Sequence, residues 1–77
     1  MPYEVRVMAD RTELIQWLDL NVGKFTSNSH YYAAKGMGWE ILPYGVDYGN
    51  SVFQEPKRYV IRVWDKDKAF LTRLRWE

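Results

Sequence analysis

A single small α+β domain over residues 1–77, with a mainly antiparallel sheet and helices on one face, is predicted by three features of the sequence. The first eight residues alternate in polarity, an apolar stripe at helical spacing follows directly, and a second alternating, β-branched run lies at Arg58–Trp64. Strand, helix and strand within 77 residues leave room for one core.

In Met1–Met8, Tyr3, Val5 and Val7 face one way while Glu4, Arg6 and Met8 face the other. Asp10 stands three residues before Glu13 in a capping-box-like arrangement, which starts a helix over Arg11–Val22. Leu14, Ile15, Leu18 and Val22 form its stripe, Trp17 broadens it, and Gly23 offers a left-handed residue to end it. Ser27 or Asn28 is expected to cap a short helix through His30, Tyr31, Tyr32, Ala33 and Ala34, with Gly36 as its stop. Trp39–Leu42 reads as a short strand ended by Pro43, and the Gly- and Pro-containing stretch 43–57 as a long loop, unless Ser51–Gln54 adds a brief pairing.

The ending DKDKAFLTRLRWE fits two periods. Phe70, Thr72, Leu74 and Trp76 alternate as a strand does, yet Phe70 and Leu74 also lie one helical turn apart among strong helix formers, with Asp65 placed to cap. Helix is the preferred reading, giving the order β-α-(short α)-β-β-α. Val5, Val7, Leu14, Ile15, Leu18, Ile41, Ile61, Val63, Phe70 and Leu74 are the expected core, with Trp17, Trp39 and Trp76 in the core or at its rim. With a helical C-terminus the first strand is left as a sheet edge, able to pair with a partner's sheet or with its own copy in an antiparallel dimer.

Composition narrows function by exclusion. Hydrophobic residues at 47% and charged residues at 27% exclude a disordered chain. Cysteine is absent, which removes disulfides, thiolate metal sites and cysteine nucleophiles and favours a cytoplasmic address. A net charge of +1 provides no global attraction to nucleic acid or anionic membrane. The N-terminus lacks the pattern of a leader and no apolar run reaches membrane-helix length, so a soluble, unprocessed protein without membrane contact is expected.

Catalytic chemistry finds little to work with. Ser29 and His30 are adjacent but have no identifiable orienting third group, and the single His with Asp47 or Asp65 gives no metal-ligand spacing. The glycines form no phosphate cradle, so neither cofactor nor metal is predicted and the balance falls against an enzyme. A protein-binding role fits better. Residues 44–51 mix Tyr, Gly, Asn and Ser, the composition of adaptable binding loops, which nominates Tyr44, Asp47, Tyr48 and the nearby Phe53, with Arg62 and Trp64 as secondary contacts. The competing reading is a small RNA-binding protein or ribonuclease that uses a sheet face with Arg62, Arg73, Arg75 and Tyr59. Against it, only Trp64 offers a stacking ring on that face, and Glu4 with Arg62 or Glu40 with Arg6 are expected as cross-strand ion pairs.

The segment YVIRVWDKDKAFLTRLRW resembles the C-terminal signature of a group of small tailed-bacteriophage proteins, in which a strand runs into D-x-x-x-A-x-x-x-x-L-R-W. The likeness covers about the last quarter of the chain and implies a strand followed by a helix, as in a ferredoxin-like or truncated β-α-β-β-α unit. It also implies a viral origin; taken together with the binding-loop composition of residues 44–51, the expected role is a phage accessory factor that docks on a host protein in the host cytoplasm and modulates it by occlusion.

Overall fold

The computed structural model describes residues 1–29, 32–44 and 57–77. Its elements run β1 (Tyr3–Met8), α1 (Arg11–Asn21), β2 (Phe25–Asn28), β3 (Ala34–Gly36), β4 (Trp39–Pro43), β5 (Arg58–Val63) and α2 (Lys66–Trp76). The strands form a five-stranded antiparallel sheet in the order β1-β5-β4-β3-β2. The α+β class with helices on one face is therefore correct, but this order is not the ferredoxin-like one.

The difference arises between Gly23 and Trp39. The expected short helix from Ser27 or Asn28 to Ala34 is replaced by β2, a turn and β3, while His30 and Tyr31 lie outside the described residues. Ala33 and Ala34 both have high helix propensity, yet Ala34 is fully buried opposite Ile41, and that tertiary pairing outweighs local preference. Arg11 holds the turn by donating from Nε to the Tyr32 carbonyl (2.9 Å) and from Nη2 to Asn28 Oδ1. Strands β3 and β4 are joined through Met37 and Gly38, and Gly38 sits at φ +81°, the left-handed region that glycine enters at no steric cost.

Helix α1 starts and stops where the sequence indicates, for different reasons. Asp10 makes no side-chain capping bond; its carboxylate pairs with Lys57 instead. Gly23 is not left-handed. A Cβ on Gly23 would stand 1.9 Å from the Met37 carbonyl oxygen, so glycine is required by close approach of the β3–β4 turn. Helix α2 confirms the helical reading of the C-terminus, with Asp65 accepting from the Lys68 amide at 3.0 Å.

Both helices cover the same face of the sheet. Leu14 and Leu18 of α1 and Ala69 of α2 join Val5, Val7, Ala34, Trp39, Ile41, Tyr59, Ile61 and Val63 in one core, with Ile15, Trp17, Phe25 and Trp76 packed against it. Trp17 meets Trp76 edge to face at 6.1 Å, which joins the helices. Two expected core residues are misplaced: Phe70 and Leu74 are 64% and 68% exposed, because α2 turns Ala69 and Thr72 inward. A small residue lets the helix approach the sheet closely, and the Thr72 hydroxyl is satisfied by the Lys68 carbonyl at 2.7 Å.

Candidate functional site

The opposite face of the sheet carries no helix among the described residues, and strand alternation dictates what it displays. Glu4 is opposite Arg62, Arg62 opposite Glu40 and Glu40 opposite Lys35, so one row across four strands alternates in charge. Arg62 closes the middle of that row, with Nε 3.2 Å from Glu4 Oε2 and Nη1 3.4 Å from Glu40 Oε1. The sequence pairs Glu40 with Arg6, whereas the observed register gives Arg62 both carboxylates.

The next row is Arg6, Val60 and Leu42, and the one beyond it Met8, Arg58 and Tyr44, where the Tyr44 amide donates to the Arg58 carbonyl at 3.0 Å. Released from Glu40, Arg6 lies over the Tyr44 ring, 5.9 Å from its centroid. Val60, Leu42 and Tyr44 are half-buried, and Met8 is 70% exposed. At the other end Trp64 continues the outward phase of Val60 and Arg62, half exposed, its amide donating to the Gly38 carbonyl at 3.2 Å. The face thus consists of a neutralised charged row, an apolar row and aromatic ends.

Of the binding residues nominated from sequence, Tyr44, Arg62 and Trp64 are on this face, with Tyr44 and Trp64 toward opposite ends, roughly 20 Å apart at the rise of a strand. Asp47, Tyr48 and Phe53 lie outside the described residues. Leu42 was missed by sequence reasoning, and its signal is the phase it shares with Glu40, opposite the phase of Trp39 and Ile41.

The cations of the RNA reading are not assembled into one surface. Arg62 belongs to the helix-free face, while Arg73 and Arg75 extend from α2 on the other layer, 3.9 Å from Glu77 and 3.7 Å from Glu13 respectively. Tyr59 is buried in the core. An open groove of about 250 Å³ between α1 and β2 is lined by Arg11, Thr12, Ile15, Gln16, Phe25 and Asn28, but its cation is committed to the turn it holds. Among the described residues, no three His, Cys, Asp or Glu side chains group as a metal site, and no helix is long and apolar enough to cross a membrane. No protein-family model, curated protein or solved structure matches this chain.

Proposed function

We propose that this chain is a non-catalytic binding protein that docks a protein partner on the helix-free sheet face and acts by occluding the surface it covers. The observation that carries this reading is the state of Arg62. Held between Glu4 and Glu40, its guanidinium has its charge met internally, so the centre of the face is organised for close packing rather than for phosphate. Val60 and Leu42 beside it supply apolar contact area, and Tyr44 and Trp64 supply rings of the kind that anchor protein interfaces. The C-terminal likeness to phage proteins makes a host protein the natural partner, with the chain as an accessory factor.

The test uses immobilised chain and bacterial lysate, with captured species compared between wild type, Val60→Glu and Leu71→Glu. Leu71 is exposed on the helical layer and serves as the control. The reading requires a captured protein that survives nuclease and raised salt, is lost with Val60→Glu and is retained with Leu71→Glu. Capture abolished by nuclease, with a steep loss in salt, would establish the RNA-binding alternative.

A further inference from the structure

Among the described residues the sheet ends at β1, and its outer edge is a second surface, bordered by the Glu4 and Arg6 side chains of the helix-free face. Ala9 donates to the Lys57 carbonyl at 2.9 Å, which fixes the phase of the β1–β5 ladder: residues 3, 5, 7 and 9 direct their main-chain groups toward β5. Glu4, Arg6 and Met8 therefore direct theirs outward, where no strand meets them among the described residues. The contact from Arg73 Nη2 to the Glu4 carbonyl, at 3.5 Å, comes from that outer side and is too long to satisfy it well.

The other edge is protected. Strand β2 breaks register between Phe25 and Ser27, and its Phe25 amide is taken by Asp19 Oδ1 at 2.6 Å. Strand β1 keeps an unbroken register over its whole length. Among the described residues, only β1 has the regular, unpaired edge that a further strand can extend.

We infer that β1 pairs antiparallel with β1 of a second copy, in the register centred on Val5, to give a two-fold dimer with one continuous sheet. Charge selects this register. Centring on Val5 sets Glu4 opposite Arg6 of the second copy and Arg6 opposite its Glu4, so both outward-directed pairs exchange main-chain bonds and join opposite charges. Centring on Arg6 instead sets two arginines face to face. The helical layer supports the same occupant: Arg73 marks the flank of α2 above the edge, and Phe70, one turn earlier and 64% exposed, sits on that side of the helix, while Lys68 and Arg75 face α1. The two-fold axis brings Phe70 of each copy to the same seam, where it gains cover that the monomer does not provide.

Analytical ultracentrifugation over a concentration series, with thermal melts to confirm folding, tests the register. Wild type should dimerise, and Arg6→Glu and Glu4→Arg should each weaken the dimer at least about tenfold, since each turns attractive pairs into repulsive ones. The double variant Glu4→Arg/Arg6→Glu restores opposite charges only in the Val5-centred register and should recover dimerisation. Phe70→Lys, at an exposed position that folding does not need, should also weaken it. A wild type that stays monomeric up to about 1 mM overturns the proposal, as does a folded double variant that fails to dimerise.

Discussion

Substituting Gly36 by alanine tests the packing that ties β2, β3 and β4 together. Phe25, Gly36 and Trp39 are neighbours across the strands, and the missing side chain at Gly36 lets the Trp39 indole lie over it to stack on Phe25, 6.3 Å between centroids. A Cβ at Gly36 would stand 2.4 Å from Trp39 Cε2 and Nε1, about an ångström inside ordinary contact. The indole has little room to withdraw, being 1% exposed and fixed by donation from Nε1 to the Gly23 carbonyl at 2.6 Å. Overpacking costs about 1–3 kcal/mol, and losing the Gly23 bond adds about 1–3 kcal/mol for a part-buried carbonyl left unsatisfied. A total of about 2–6 kcal/mol is a large part of a small domain's stability. Urea melts followed by far-UV circular dichroism measure it, with Lys35→Ala, adjacent but exposed, expected to change stability by less than about 0.5 kcal/mol. A Gly36→Ala cost no larger than that of Lys35→Ala would refute the proposed role of Trp39.

Further stability changes follow from the same packing. Leu18→Ala, at a fully buried site, should cost about 2–5 kcal/mol in denaturant melts. Asp65→Ala removes an observed capping bond and should lower stability by about 1 kcal/mol, whereas Asp10→Ala loses only an exposed ion pair worth about 0–1 kcal/mol, so their melts should rank in that order. Thr72→Val keeps the shape of a buried residue whose hydroxyl bonds only within its own helix, and its midpoint should stay within about 1 kcal/mol of wild type.

Elements with a strong local period were legible in the sequence. The alternation of β1 and β5 and the helical stripe of α1 each recur over enough residues to identify the element and its inward face. The region between Gly23 and Trp39 was not legible, because β2 and β3 are only four and three residues long and Ala33 and Ala34 favour helix until Ile41 and Arg11 are brought beside them. Phe70 and Leu74 misled for a related reason: their spacing marks a helical face, but spacing alone does not say that Ala69 and Thr72 are the residues small enough to approach the sheet. The site divides in the same way. Arg62 and Trp64 were placed on the open face by strand phase, while the capture of Arg62 by both Glu4 and Glu40 depends on a strand order that no local pattern encodes.

The most direct test of the proposed docking face is site-specific photo-crosslinking in bacterial lysate, with a photoreactive phenylalanine derivative placed in turn at Val60, Leu42 and Leu20. Leu20 is 82% exposed on α1 and reports on the helical layer. The docking proposal predicts one protein adduct shared by the Val60 and Leu42 probes, resistant to nuclease and absent from the Leu20 probe. An adduct confined to Leu20, or crosslinks at Val60 and Leu42 that nuclease removes, would contradict it.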